Sequence, residues 1–232
     1  MKTKTNMTTK TKRKPSTNQN TLFIVAVAGL LLAFIVGRYL YTSSQSEKAA
    51  ESAQAMMSTL VRPHAMTLGP ADAPVVIVEF FDPACETCAV FYPMVKQLMA
   101  ANPDKIRLVL RYAAFHQGSD TVVAALEAAR RQDKYFPALE ALLKSQAGWA
   151  PNHTSQMGLA WPFLEGLGLD FARMRQDMVS PEITQIIAQD MADVRALNIT
   201  KTPEFFVNGK PLPSFGYAQL KTLVDEALGA AR

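Results

Sequence analysis

The chain has 232 residues, 49% of them hydrophobic, and is therefore long enough to bury one substantial core. Its formal net charge of +4 originates at the N-terminus, where residues 1–20 contain six basic residues and no acidic one. Residues 42–232 carry 17 basic and 20 acidic residues, so the body of the protein lacks the basic excess that would favour nucleic-acid binding.

An apolar run covers residues 22–41 and follows the basic segment at residues 1–21. Twenty helical residues rise about 30 Å, which is enough to cross the hydrocarbon core of a bilayer. Basic residues ahead of such a span predict a cytoplasmic N-terminus and an exported body. We therefore expect a single-pass transmembrane anchor at residues 22–41, with the rest of the chain facing the periplasm or cell exterior.

A cleaved signal peptide has a similar layout of charged and apolar residues and is the alternative interpretation of this segment. The nearest small-x-small cleavage site, Ala53-Gln54-Ala55, lies well beyond the apolar run. No cysteine precedes residue 85, so a lipoprotein anchor is not expected. We favour an uncleaved anchor, followed by a spacer rich in Ser, Ala, Gln and Glu at residues 42–66.

The exported body then alternates between strand and helix patterns, beginning after a turn cluster at residues 69–74. Residues 75–81 are apolar on both faces, as expected for a buried central strand. A helix-like run at residues 89–101 leads to a second strand pattern at residues 106–112. A strand–helix–strand unit of this kind predicts two parallel strands.

The second half of the body is almost wholly helical before it returns to strands. Helical patterns cover residues 119–197, and a strand pattern follows at residues 204–207. Asn208-Gly209 is a strong hairpin signal, and a final helix is predicted at residues 217–228. The order is βαβ, a helical block and ββα, which predicts an α/β fold with a helical insertion at approximately residues 118–197.

Cys85 and Cys88 are the only cysteines of the sequence, and they lie where the first strand pattern gives way to the helix. Cysteines three residues apart at a helix start share one face, and the helix N-terminus favours the thiolate of the first. A thiolate of low pKa is a good leaving group, so the pattern favours a redox-active disulfide. A structural staple would stabilise weakly across so short a loop. Zinc needs more ligands than are offered here, whereas a two-thiolate copper site is an open alternative.

These patterns resemble the DsbA family, whose members have a thioredoxin fold with a helical insertion. The resemblance extends over residues 67–230 and is closest to the membrane-anchored branch, which has Gly-x-x-x-Ala-Pro-Val ahead of the first strand. It implies a thioredoxin-like domain at residues 67–230, preceded by one transmembrane helix. The matching segments are Gly69-Pro70-Ala71-Asp72-Ala73-Pro74-Val75, Val78-Glu79-Phe80-Phe81-Asp82, Cys85-x-x-Cys88, Arg111-Tyr112-Ala113-Ala114-Phe115-His116 and Thr202-Pro203-Glu204-Phe205-Phe206-Val207-Asn208-Gly209.

The resemblance also implies roles for individual residues. Cys85 would be the exposed nucleophile, and Cys88 the resolving thiol one turn deeper. Pro203 would follow a cis peptide bond and face the disulfide, while Thr202 would supply backbone contacts to a bound substrate. Glu79 would relay the proton of the resolving thiol, although a solvated carboxylate at a strand end is the alternative. No metal or organic cofactor is implied.

The implied activity is that of a thiol:disulfide oxidoreductase acting on cysteines of exported proteins in the bacterial cell envelope. A dithiol oxidase of this kind would be reoxidised by a DsbB-like membrane protein. The alternative is an isomerase or reductase that a DsbD-like membrane partner keeps reduced. The expected location is the bacterial cytoplasmic membrane.

The dipeptide between the cysteines departs from the pattern of strongly oxidising relatives, which commonly carry Pro-His there. In this chain the dipeptide is Glu86-Thr87. A carboxylate beside a thiolate disfavours the charged form, and Thr87 supplies at most a hydroxyl group. We therefore expect Cys85 to have a higher pKa than in those relatives and the disulfide to be less oxidising, with Lys201 partly offsetting Glu86.

Overall fold

The computed structural model describes residues 54–230, together with Glu51 and seven positions between residues 24 and 39. The basic tail at residues 1–21 and most of the predicted anchor at residues 22–41 lie outside the described residues. Within the described residues, no helix is both long and apolar enough to cross a membrane. The described residues from 54 to 230 belong to one compact unit.

A mixed sheet occupies the centre of this unit. Within residues 54–230 its strands are β1 (Met66–Leu68), β2 (Val75–Phe81), β3 (Ile106–Tyr112), β4 (Glu204–Val207) and β5 (Lys210–Pro211). Their order across the sheet is β1-β3-β2-β4-β5. The two central strands, β2 and β3, run parallel, as the strand–helix–strand pattern predicts. β4 pairs antiparallel with β2 and returns through the predicted hairpin into β5.

Helices connect and cover these strands. The long helix α1 (Glu86–Ala101) joins β2 to β3, and α8 (Tyr217–Ala230) follows β5. The block between β3 and β4 contains α2 (Ser119–Arg130), α3 (Tyr135–Lys144), α4 (Gln146–Trp149), a 3-10 turn (Pro151–His153), α5 (Met157–Leu164), α6 (Phe171–Asp177) and α7 (Pro181–Ala196). The predicted α/β order with a helical insertion is confirmed.

Alternation along the strands gives the sheet two buried faces. On β2, Ile77 and Phe81 belong to the larger apolar cluster, which also contains the buried side of α1. Val78 and Phe80 belong to a smaller cluster on the opposite face. Glu79 is in phase with Ile77 and Phe81, so this strand directs a carboxyl group toward the face that α1 covers.

The segment that precedes β1 is packed into the same unit. Residues 54–60 are helical, and Leu60 is fully buried. The buried guanidinium of Arg111 donates a hydrogen bond to the Leu60 carbonyl oxygen at 2.9 Å and pairs with Asp190 at 2.7 Å. The packed structure therefore begins before residue 67 and includes the last part of the predicted spacer.

Candidate active site

Cys85 lies at the point where β2 ends and α1 begins, and the loop that leads into it is tightly held. The backbone N–H of Cys85 donates to the Asp82 carbonyl oxygen at 3.0 Å, and that of Ala84 donates to the Asp82 carboxylate at 2.8 Å. Gln146, from the helical insertion, donates to the Pro83 carbonyl oxygen at 2.7 Å. Residues that follow β2 and a residue of the helical insertion thus both fix the start of α1.

The two cysteines occupy different depths at this helix start. Cys85 is the N-cap residue, with an extended backbone (φ −81°, ψ 117°), and Cys88 lies in the first turn. Both are free thiols in this structure; Cys85 is 6% exposed and Cys88 is 1% exposed. Cys85 is therefore the more exposed of the two residues, but both are buried, whereas the resemblance implies an exposed Cys85. Cys85 is less open than expected because Thr202 contacts it.

The surroundings of Cys85 favour its thiolate. A hydrogen bond with the Cys88 side chain outweighs the opposing effect of burial and lowers the pKa of Cys85 to about 5, with further help from Thr202 and the backbone of Cys88 and Thr87. Backbone N–H groups are available there because the first turn of a helix leaves them without intrahelical partners. In the reduced protein at pH 7, Cys85 is therefore a thiolate.

Cys88 is shifted in the opposite direction. Burial raises the pKa of the Cys88 thiol well above its usual range, and so do its hydrogen bond with Cys85 and the nearby charge of Glu79. The reduced pair consequently shares one proton, which stays on Cys88 at neutral pH. Two thiols whose pKa values are pushed apart can take different roles in one exchange reaction.

Glu79 is the buried acid next to this pair. It is 1% exposed, and its Oε2 atom has no hydrogen-bond partner among the described residues. Burial, with a contribution from the charge of Cys85, raises the pKa of Glu79 to about 8. This burial disagrees with the alternative of a solvated strand end. A carboxyl group that is mostly protonated at neutral pH can give up or accept a proton inside the site.

The loop between α7 and β4 forms the other wall of the site. The Thr202–Pro203 peptide bond is cis, as the resemblance implies, and Pro203 is buried. The Sγ atom of Cys85 lies 3.4 Å from the Thr202 carbonyl oxygen, to which it donates when protonated. Antiparallel pairing of β4 with β2 places this distant loop beside the start of α1. The loop enters β4 at the same end of the sheet at which β2 leads into α1.

An aromatic cluster adjoins the same loop. The ring of Phe91, on α1, packs against Phe205 at 5.6 Å and against Phe215 at 4.9 Å between ring centres. Phe91 is 7% exposed and belongs to the larger apolar cluster, whereas Phe215 is 43% exposed. The Lys201 ammonium group lies 5.8 Å from the centre of the Phe215 ring. The exposed ring of Phe215 therefore forms an apolar surface beside Lys201, the residue that precedes Thr202.

A series of paired side chains that the sequence did not predict runs along the edge of the site. His116 Nδ1 lies 2.8 Å from the buried carboxylate of Asp82. The His116 ring stacks on the His153 ring, with centres 4.9 Å apart and planes inclined by 17°. His153 Nδ1 in turn lies 2.8 Å from Glu86 Oε2. Asp82 and His116 fall within matched motifs, but no sequence signal pointed to His153.

Comparison with known proteins agrees with this geometry. The sequence profile of the thioredoxin family matches residues 62–226. The chain belongs to the thioredoxin family. A thioredoxin-like oxidoreductase from Silicibacter pomeroyi DSS-3 is 34% identical in sequence; the match has a TM-score of 0.64 and covers 74% of this chain and 97% of that chain.

A second solved structure shows the same fold as this thioredoxin-family chain. α-DsbA1 from Wolbachia pipientis shares the fold at 21% identity and a TM-score of 0.63, over 76% of this chain and 96% of that chain. The thioredoxin-like fold that the DsbA resemblance implies is confirmed, whereas membership of the membrane-anchored branch stays a prediction. The Na(+)/H(+) antiporter NhaA of Herminiimonas arsenicoxydans is 32% identical over 68% of this chain, but the match covers 25% of the antiporter. The chain spans about a quarter or less of the first curated relatives that it matches.

This thioredoxin-family site thus gathers the residues expected from the sequence. Contacts link Cys85 to Cys88 and to Thr202, and Pro203 follows the cis bond. The charge of Glu79 acts on Cys88, and the charge of Cys85 acts on Glu79. Their catalytic roles stay predictions. Within the described residues, no group of three or more His, Cys, Asp or Glu side chains is arranged to hold a metal ion.

Proposed function

We propose that the protein is a thiol–disulfide oxidoreductase of the DsbA type and that it works as a dithiol oxidase on exported proteins. One arrangement carries this proposal: Cys85 caps α1 and faces the cis Thr202–Pro203 loop, and its contacts with Cys88 and Thr202 lower its pKa to about 5. A stabilised thiolate makes the reduced form of the pair more stable, and the disulfide is then correspondingly more oxidising. The same feature argues against an isomerase or reductase that a DsbD-like partner keeps reduced.

The first step of the oxidase cycle uses the disulfide between Cys85 and Cys88. A substrate thiolate attacks the Sγ atom of Cys85, and the electron pair of the S–S bond passes to Cys88. Cys88 then takes up a proton, because its pKa is raised well above neutrality. Glu79, a buried acid with a pKa of about 8 whose charge acts on Cys88, supplies that proton.

The second step releases the oxidised substrate. A second substrate thiolate attacks the substrate sulfur of the mixed disulfide, and Cys85 departs as a thiolate. Its low pKa makes it a good leaving group. The substrate has then lost two electrons and gained a disulfide, and the enzyme retains those electrons as the Cys85 thiolate and the Cys88 thiol.

Thr202 and Pro203 position the substrate in this scheme. The Thr202 carbonyl oxygen lies 3.4 Å from the sulfur that is attacked. A substrate chain that runs along this loop would meet backbone hydrogen-bonding groups beside Cys85. The proposal needs no metal or organic cofactor.

The proposed setting is the bacterial cytoplasmic membrane, with residues 22–41 as an uncleaved anchor and the catalytic unit outside the cytoplasm. Six basic residues ahead of an apolar run of sufficient length support this topology. The substrates would be exported proteins with cysteines, and a DsbB-like membrane protein would reoxidise the pair.

The redox state of the pair in cells tests the direction of exchange. After acid quenching, free thiols are alkylated and the full-length protein is examined for modified Cys85 and Cys88. A dithiol oxidase should be found mostly oxidised, and cells treated with a reductant give the fully alkylated reference. A pair that is mostly reduced in untreated cells would contradict the oxidase and support the isomerase or reductase.

A further inference from the structure

Glu86 carries a charge that opposes the chemistry proposed above. It directly follows Cys85, and a carboxylate in that position disfavours a neighbouring thiolate. In the structure, however, its Oε2 atom lies 2.8 Å from Nδ1 of His153. His153 belongs to the 3-10 turn within the helical insertion, whereas Glu86 begins α1. The insertion thus supplies a partner for the one acid between the two cysteines.

The backbone around His153 is held in an unusual conformation that places this side chain. Asn152 and His153 both have left-handed φ angles, 52° and 59°. Such angles are unfavourable for residues with a Cβ atom and persist where the surroundings fix them. The backbone N–H of Ser155 donates to the Gln117 carbonyl oxygen at 2.9 Å, which ties the end of the turn to the loop after β3.

The imidazole ring is held from a second side. It stacks on His116, and His116 Nδ1 lies 2.8 Å from Asp82. Asp82 is fully buried and also accepts hydrogen bonds from the backbone N–H groups of Phe115 and His116, at 2.7 and 2.8 Å. His153 is therefore anchored through His116 to the same loop that leads into Cys85.

This arrangement adds little to the stability of the fold. The side chains of His153 and Glu86 are 49% and 58% exposed. Exposed ion pairs contribute weakly to folding because solvent screens them and because two mobile side chains must be ordered. A weak surface pair does not require His153 to be held from two sides. The carboxylate that His153 contacts belongs to Glu86, which directly follows the reactive cysteine.

We propose that His153 is a positioning residue of the redox centre, which restrains and compensates the Glu86 carboxylate and thereby keeps the reduced Cys85 thiolate stable. The inference rests on the dithiol exchange proposed above and deepens it. The largest contributions to the low pKa of Cys85 come from Cys88 and Thr202. Pairing with His153 explains how those contributions prevail although a carboxylate is adjacent.

The test is a redox equilibrium of the purified full-length protein with glutathione. In this reaction the protein disulfide and two glutathione thiols give the protein dithiol and one glutathione disulfide. His153→Ala should lower the equilibrium constant about two- to fivefold, which is the size expected for one partly exposed ion pair. The midpoint pH for alkylation of Cys85 should rise in the same variant.

A second substitution separates the imidazole from the backbone turn. Asn tolerates left-handed φ angles better than most residues, so His153→Asn removes the ring while the turn is preserved. His153→Asn should shift the equilibrium as much as His153→Ala. If only the alanine variant shifts it, the turn rather than the ring is responsible, and the proposal is overturned.

A double-variant comparison shows whether His153 acts through Glu86. In a Glu86→Gln background, His153→Ala should leave the glutathione equilibrium unchanged; a shift of undiminished size would overturn the proposal. Lys221→Ala is the matched control, because it breaks an ion pair on α8 whose partners are 53% and 52% exposed. This control should behave like the unmodified protein.

Failure of the inference differs from failure of the proposed function. If the unmodified protein does not exchange disulfides with glutathione, the oxidoreductase proposal itself is contradicted. If it exchanges normally and both His153 variants match it, only the role of His153 is overturned.

Discussion

The Sγ atom of Cys85 lies 3.4 Å from the carbonyl oxygen of Thr202, a residue 117 positions further along the chain. The contact joins the start of α1 to the loop before β4, and it exists because β4 pairs with β2. A hydrogen bond from the side chain of Thr202, separate from this carbonyl contact, contributes to the low pKa of Cys85. The same loop therefore contacts the reactive sulfur and affects its ionisation.

The different depths of the two sulfurs predict different outcomes for serine substitutions. Cys85→Ser should abolish disulfide exchange, because the accessible sulfur is removed. Cys88→Ser should accumulate mixed disulfides, which form when the Cys85 thiolate attacks a substrate disulfide, since the Cys88 thiol that would attack Cys85 and release the substrate is missing. Non-reducing electrophoresis of protein from cells would show the adducts, and a reductant should dissolve them. Trapping by Cys85→Ser instead would reverse the assigned roles.

Glu79 predicts a specific dependence of stability on pH. Its pKa is raised from 4.5 to about 8 in the folded protein, so the folded state binds the proton more strongly than the unfolded state does. The contribution of Glu79 to the free energy of unfolding is therefore largest at low pH, and it falls as pH rises from about 4.5 to about 8. The fall is about 1.4 kcal/mol per pH unit at most.

Glu79→Gln removes this dependence. Urea unfolding of the reduced protein at several pH values measures this. Between pH 5 and pH 8, the unmodified protein should lose more unfolding free energy, relative to its value at pH 5, than the Glu79→Gln variant does. Glu140→Gln is a control, because that carboxylate is half-exposed. Identical pH profiles for Glu79→Gln and the unmodified protein would contradict the buried neutral acid.

The dipeptide between the cysteines predicts how the redox potential can be changed. Glu86→Pro combined with Thr87→His should lower the pKa of Cys85 and make the disulfide more oxidising. Glu86→Gln alone should act in the same direction but less strongly, because His153 already pairs with this carboxylate. One pKa unit is worth about 1.4 kcal/mol, or about 30 mV for a two-electron couple, and an exposed charge should give a fraction of that. A raised pKa of Cys85 in Glu86→Gln would show that the carboxylate does not oppose the thiolate.

Arg62 and Arg111 form ion pairs with carboxylates of α7, and substitution of these two arginines should lower the free energy of unfolding by different amounts. Arg111 is fully buried and pairs with Asp190 and Asp193, so Arg111→Ala leaves two buried carboxylates without this partner. Breaking such a cluster should cost about 3–5 kcal/mol of unfolding free energy. Arg62→Ala should cost less, since the Arg62 side chain is 31% exposed. Urea unfolding of both variants measures the difference, and equal costs would contradict the account.

Much of the fold could be predicted because its signals are local. The β-branched run at Val75–Phe81, the hairpin signal at Asn208-Gly209 and the helical periodicity between them each depend on nearby residues. The cysteine pair was equally clear, because a helix start after a strand determines the relation of Cys85 to Cys88. The contact with Thr202 followed from the family resemblance and not from local pattern.

The unpredicted features depend on contacts between distant segments. Arg111 lies in a strand pattern and would ordinarily be solvated, and its burial becomes favourable only when Asp190 and Asp193 arrive from α7. His153 lies in an irregular turn with left-handed backbone angles, for which periodicity gives no signal. The packing of residues 54–60 also escaped prediction, because the few large apolar residues there, Met56, Met57 and Leu60, follow a polar stretch and give only a short periodic signal.

The central claim is that Cys85 is a stabilised thiolate, and alkylation of the reduced full-length protein across a range of pH measures this directly. Mass spectrometry follows the modification of Cys85, with Cys88→Ser as a check on which sulfur reacts. The account predicts a half-maximal alkylation rate near pH 5, with Cys88 unreactive through neutral pH. A midpoint near pH 9, the ordinary value for a thiol, would contradict it.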